Sequence, residues 1–133
     1  MGLDIGDKRI GVALSDPQGI LASPLTIINC QDKKADIEAI VDIIGQNQVG
    51  QVIAGLPRSM DGSIGQQAEK VQAFIEELRN YTEVSIEFRD ERLSTVAAKR
   101  LMRGVRKTNK KKIRHDAIAA ALILQGYLDE APG

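Results

Sequence analysis

Leu3-Asp4-Ile5-Gly6-Asp7-Lys8-Arg9-Ile10-Gly11-Val12-Ala13-Leu14 decides the fold of this 133-residue chain. Leu3 and Ile5, then Ile10, Val12 and Leu14, alternate with polar or small residues around Gly6 and Gly11, the pattern of two strands joined as a hairpin. Ile20 to Ile28 adds a third apolar run, broken by Pro24, and is expected as an edge or bulged strand. Downstream the period changes. Ile37, Ile40, Val41 and Ile44 recur at helical spacing and predict an amphipathic helix from about Lys33 to Gln46, with Gly45 and Gly50 bracketing its end. Val52, Ile53 and Ala54 read as a buried strand that opens at Gly55 into the turn-rich segment Leu56 to Gly65. A helix with Ala68, Val71, Phe74, Ile75 and Leu78 on its face follows, and Ser63 stands three residues before Gln66 at capping-box spacing. Val84, Ile86 and Phe88 alternate as a further strand. A helix carrying Val96, Ala97, Leu101 and Met102, capped by Ser94 or Thr95, precedes a last helix from Asp116, its N-cap, through about Leu128. The order β-β-β-α-β-α-β-α-α predicts an α/β fold: a mixed sheet of five strands, antiparallel at one edge and parallel beyond, flanked by helices in a single domain over residues 1–133.

Hydrophobic residues make up 43% of the chain, enough for one core but not two. The longest apolar run, Ala117 to Leu124, is far short of the roughly 18 residues that a membrane-spanning helix needs. No secretory signal opens the chain and Cys30, its single cysteine, is expected to be merely buried, so the reading is cytoplasmic without disulfides. The 18 basic and 18 acidic residues cancel overall yet segregate strongly. Between Arg92 and His115 every formal charge is positive: Arg92, Lys99, Arg100, Arg103, Arg106, Lys107, Lys110, Lys111, Lys112 and Arg114. These ten leave 8 basic against 18 acidic residues elsewhere, a balance of −10. Such a block suits a phosphate backbone, since each neutralised phosphate releases counterions, although a solvated basic face would carry the same pattern. Its stretch from Gly104 to Arg114 reads as a mobile loop.

Sites in sheets of this kind form beyond the carboxyl ends of strands. Three carboxylates fall near such places: Asp4 on the first strand, Glu91 just after the strand of Val84 to Phe88, and Asp116 at the head of the last helix. Asp4 lies within an apolar run and Asp116 precedes eight apolar residues, so neither reads as an ordinary surface acid. Hard oxygen ligands of this sort hold Mg²⁺ or Mn²⁺, and two such ions roughly 4 Å apart activate water and stabilise the leaving oxygen of a phosphodiester.

Four motifs in order, spanning nearly the whole chain, resemble one family: Leu3-Asp4-Ile5-Gly6 with Arg9-Ile10-Gly11-Val12-Ala13; Gly55-Leu56-Pro57 with Asp61-Gly62-Ser63; Asp90-Glu91-Arg92; and Asp116-Ala117 with Ile123-Leu124-Gln125. It is the YqgF family of pre-16S ribosomal RNA nucleases, similar to Holliday junction resolvases. The resemblance implies a ribonuclease-H-like fold, a divalent-metal-dependent phosphodiesterase and a cytoplasmic role in maturing ribosomal RNA ends. It places the family's acidic positions on Asp4, Glu91 and Asp116, with Asp4 bridging two Mg²⁺ or Mn²⁺ ions and each of the others completing one. The chain departs from the family in one respect: only three residues precede Asp4, fewer than the family's first strand supplies.

Arg9, Arg58, Arg92, Arg103, Arg106, Lys107, Lys110, Lys111, Lys112 and Arg114 are the candidates for contact with nucleic acid. Arg92 has an equal alternative as a salt-bridge partner that orients Glu91 or Asp90. Gly6 and Gly11 allow close approach of a phosphate but also suit a tight hairpin, the reading preferred for Gly11. Arg58, Gly62 and Ser63 precede a helix whose free N–H groups suit an anion, or form an ordinary capped turn. Gly62-Ser63-Ile64-Gly65 spells the G-x-x-G of a KH loop without basic neighbours, and no P-loop run is present. Actin-like ATPases share this topology but need two such domains to enclose a nucleotide. His115 stands beside Asp116 and could assist proton transfer, though a lone histidine is more often idle. Phe74, Tyr81, Phe88 and Tyr127 read mostly as core, so recognition is expected to lean on phosphates and shape rather than on base stacking. Three readings compete: a nuclease on precursor ribosomal RNA, acting as a monomer or weak homodimer; a resolvase of four-way DNA junctions; and a non-catalytic assembly factor that binds ribosomal RNA.

Overall fold

The structure is a computed structural model that describes residues 1–57, 65–90 and 114–130, with only the backbone at 114–116. Five strands, β1 (Gly2–Ile5), β2 (Arg9–Ser15), β3 (Ala22–Asn29), β4 (Gln51–Leu56) and β5 (Ser85–Asp90), form one sheet in the order β3-β2-β1-β4-β5. β1 pairs antiparallel with β2, and β2 with β3, whereas β1 with β4 and β4 with β5 are parallel. This is the mixed sheet that the apolar pattern predicts. β3 is an edge strand; the β2–β3 register shifts between Val12 and Ala13, and Pro24 pairs opposite Ala13, where a ladder donor can be spared.

Three helices complete the described elements: α1 (Lys33–Gln46), α2 (Gln66–Arg79) and α3 (Arg114–Glu130). α1 matches its expected bounds because its signals agree: Ile37, Ile40 and Ile44 are buried on one face, and Asp32 caps the first turn by accepting from the Ala35 N–H at 2.8 Å. Its end does not rest on glycine, since Gly45 lies within the helix and Gln48 takes the left-handed conformation at φ 53°. α2 buries Ala68, Val71, Phe74, Ile75 and Leu78 as the period requires. The expected capping box fails: Gly65 is the N-cap, without a side-chain cap bond, so Gln66 is the first helical residue rather than the third. α3 begins two residues before the expected start, which puts Asp116 in its first turn instead of at its N-cap. The helix expected over Val96 to Met102 and the loop expected from Gly104 lie outside the described residues.

Alternation along the strands buries the sheet on both faces, so the apolar residues form two clusters where one core was expected. Leu3, Ile10, Val12, Val52, Ala54, Leu56 and Ile86 face α1 and α2. On the other face Ala13 and Ile53 pack against Ala120, Ala121, Ile123 and Leu124 of α3. The helix lies unusually close there: a methyl group at Gly2 would stand 2.6 Å from the Ala120 carbonyl oxygen and 2.8 Å from Leu124 Cβ. Phe74 is buried, but Tyr81, just past α2, is 46% exposed and is no core residue. Cys30 is only half-buried, its thiol 3.9 Å from the Gly6 carbonyl oxygen, because it ends the edge strand beside the β1–β2 turn.

Candidate active site

Asp4 sits in β1, the central strand, one residue before its carboxyl end. Leu3 belongs to the α1/α2 core, so alternation puts Asp4 on the α3 face, where its side chain is half-buried. Its partner on β2 is Gly11, and the parallel register that pairs Leu3 with Ala54 brings Gly55 of β4 beside it on the other flank. Neither neighbour has a side chain. Gly11 is thus a ladder residue flanking Asp4 rather than a turn residue. The hairpin role falls to Gly6: its N–H donates to the Arg9 carbonyl at 2.9 Å, and a methyl group there would come within 2.8 Å of that oxygen. Arg9 opens β2, exposed, paired with Asn29.

α3 is carried toward this end of β1 by its direction. Ala120 and Leu124 lie over Gly2, and farther along Tyr127 donates to Gln51 Oε1 at 3.2 Å at the start of β4. The helix therefore runs against β1, and the four residues back from Ala120, about 6 Å, match the two forward from Gly2, about 6.6 Å. The first turn of α3, with Asp116, is thereby directed to the level of Asp4. Gln125 anchors the far half to β3, accepting from the Ala22 N–H and donating to the Ile20 carbonyl, both at 2.9 Å.

β5 ends at Asp90, opposite Leu56. Ile86 and Phe88 pack into the α1/α2 core, so Asp90 follows them to that face, away from Asp4, while Arg89 faces α3. Glu91, Arg58, Arg92, Arg103, Arg106, Lys107, Lys110, Lys111 and Lys112 lie outside the described residues, as do the side chains of Arg114 and Asp116. Among the described residues no group of three His, Cys, Asp or Glu stands together as metal ligands. The donor chemistry at Asp4 nevertheless suits a hard cation: a half-buried carboxylate on the central strand, between two positions without side chains. A cavity of about 490 Å³, lined by Met1, Gln51, Leu124 and Tyr127 among others, opens at the opposite end of the sheet. A second, of about 340 Å³, lies under the Gly6–Asp7 turn on the α1/α2 face. Asp4 lines neither of these two cavities.

The sequence reading missed Arg89, Gln125 and Gly126 as structural contacts. A glycine inside the otherwise apolar α3 is the signal that could have drawn notice to the last of these.

Solved structures with this fold include Thermus thermophilus RuvC in complex with Holliday junction substrate, at TM-score 0.63 and 12% identity, covering 98% of this chain and 95% of that one. The fowlpox virus resolvase in complex with Holliday junction DNA gives TM-score 0.57 and 11% identity, covering 96% and 95%. The fold is ribonuclease-H-like. Relatives are far more similar in sequence. Proteins of Roseiflexus sp. (strain RS-1), Clostridioides difficile (strain 630) and Dehalococcoides mccartyi are 47%, 49% and 51% identical over 130, 131 and 126 residues. The matches cover 97%, 97% and 95% of this chain and 92%, 92% and 94% of the relatives, each named "Putative pre-16S rRNA nuclease". No helix among the described residues is long and apolar enough to cross a membrane. Residues 1–130 match the family profile described as RuvX: Holliday junction resolvase, and the chain belongs to that family.

Proposed function

We propose that this chain, a single domain over residues 1–133, is a divalent-metal-dependent nuclease that trims the ends of precursor 16S ribosomal RNA in the cytoplasm. The observation that carries the reading is Asp4, a carboxylate on the central strand flanked by Gly11 and Gly55 and faced by α3, in a chain about half identical to proteins named for that reaction. Asp4, Glu91 and Asp116 are the proposed ligands of Mg²⁺ or Mn²⁺. Such an ion, when bound, supplies Lewis-acid stabilisation of the phosphodiester and an activated water. The chain's own residues do the rest. Asp4 orients the centre from the middle of the sheet, between two strand positions that carry no side chain. Arg9, Arg58, Arg92, Arg103, Arg106, Lys107, Lys110, Lys111, Lys112 and Arg114 hold the phosphate backbone.

A second reading, resolution of four-way DNA junctions, draws support from the family description and from structural neighbours in complex with such DNA. It asks for a symmetric dimer with two sites across the junction, whereas trimming an RNA end needs one protomer. The test incubates the protein with labelled precursor 16S RNA, unstructured single-stranded RNA and a four-way DNA junction, each with Mg²⁺, Mn²⁺ or chelator. Metal-dependent cleavage of the precursor, absent in Asp4→Asn, is the expected result. Preferential cleavage of the junction by a dimer transfers the assignment to the second reading. Tight RNA binding without cleavage in either metal makes the chain a binding factor and overturns the nuclease.

A further inference from the structure

Arg89 reaches from β5 to the far half of α3 and holds it in a two-pronged grip. Nη1 donates to Glu130 Oε1 at 2.9 Å and Nη2 to Glu130 Oε2 at 2.7 Å, a bidentate fork. The guanidinium lies against Gly126: a methyl group there would stand 2.8 Å from Nη2, 2.9 Å from Nε and 3.1 Å from Cζ. Nε is buried and, among the described residues, has no hydrogen-bond partner.

Two features of this arrangement cost stability, and the ion pair offsets them only weakly. Glycine inside a helix is worse than alanine, and here the room it leaves is filled by the guanidinium. A buried N–H without an acceptor loses its hydration for nothing. The Arg89 side chain is only 12% exposed, whereas Glu130 is 64% exposed, so water weakens the pair that should compensate. A methionine would bury the same stem without these penalties. The arrangement is therefore explained better by where it puts the backbone than by the stability it adds. From Arg89 the chain passes through Asp90 to Glu91, and the helix it grips carries Asp116 in its first turn. The same helix sits on β1 at Gly2, two residues from Asp4.

We infer that Arg89 is a positioning residue that, through Glu130 and the space at Gly126, fixes the end of β5 against α3 and so sets the spacing of the proposed metal ligands. The inference rests on the nuclease reading. Its variants are Arg89→Met, which removes the fork, and Gly126→Ala, which pushes the guanidinium aside while improving helix propensity. Thermal unfolding, Mn²⁺ titration followed by electron paramagnetic resonance, and cleavage of precursor RNA are measured on each. Both variants are expected to melt at or above the wild-type temperature and yet to bind Mn²⁺ about tenfold more weakly, the scale on which supporting residues act. Their KM for RNA should stay unchanged, and kcat should fall but recover at high Mn²⁺. Wild-type Mn²⁺ affinity in both variants overturns the inference, as does a fall in melting temperature and kcat together without a change in Mn²⁺ affinity. The failure of the underlying reading looks different: a wild-type chain that binds no Mn²⁺ overturns both. Binding that is lost in Asp4→Asn but intact in Arg89→Met and Gly126→Ala overturns the positioning role alone.

Discussion

Asp4 is a single carboxylate whose role depends on which neighbours lack side chains. Asp4→Asn keeps the shape and loses the charge, so cleavage should fall by more than the roughly 10–100-fold that loss of an outer-shell partner costs, while the melting temperature holds. Gly55→Ala adds one methyl group beside the carboxylate. It should weaken metal binding in a Mn²⁺ titration and leave far-ultraviolet circular dichroism unchanged. An unaltered affinity would show that the missing side chain at Gly55 does not matter. The place of Asp4 on the first strand was legible in the sequence because Leu3 and Ile5 flank it at the period of a strand. The part played by Gly11 was not: a glycine near a hairpin reads as a turn residue, and only the register with Asp4 reveals it as a flank. Arg89 was illegible for a similar reason, since its partners lie 37 and 41 positions away, on a helix whose placement no local pattern encodes.

At the scale of elements, periodicity carried the reading wherever a face is buried. α1 and the buried stripe of α2 came out as expected, because Ile37, Ile40 and Ile44, and then Val71, Ile75 and Leu78, repeat at the helical period. Ends fared worse, since several signals compete there: Ser63 and Gln66 fit a capping box, yet Gly65 takes the cap, and Asp116 fits a cap, yet α3 starts earlier. The cap at Asp32 is real, and Asp32→Ala should cost about 1 kcal/mol in denaturant unfolding. Arg89 and Glu130 join two elements and give a pH signature. The hydrogen bond from the Arg89 guanidinium, followed by its charge, holds the Glu130 carboxyl below its ordinary value of 4.5. The folded chain therefore gives up that proton more readily than the unfolded one, and the pair's contribution is present above pH 4.5 and is lost as pH falls through the lowered value. Unfolding of Glu130→Gln followed against pH should lack that acid-side decline. A profile identical to wild type would mean that the pair contributes nothing.

For the molecule as a whole, charge and architecture divide the work. In the proposed nuclease the sheet supplies the carboxylate of Asp4, and the ten basic residues from Arg92 to Arg114 are the proposed source of affinity without reading of bases. If six of them meet phosphates, RNA affinity measured by fluorescence polarisation should drop about a thousandfold between 50 and 200 mM salt. A nearly flat dependence would remove the basic segment from the interface. The mixed pairing was legible from three leading strands followed by alternating helix and strand, whereas the spatial order of the strands came only with the structure. What the pattern alone withholds is convergence, because Asp4, Glu91 and Asp116 are separated by 87 and then 25 positions. The most direct test is therefore a Mn²⁺ titration by electron paramagnetic resonance on the wild type, Asp4→Asn, Glu91→Gln and Asp116→Asn, each shown to be folded. Loss of tight Mn²⁺ binding in every variant is the predicted result, whereas wild-type binding in all three would contradict a metal centre built from these acids.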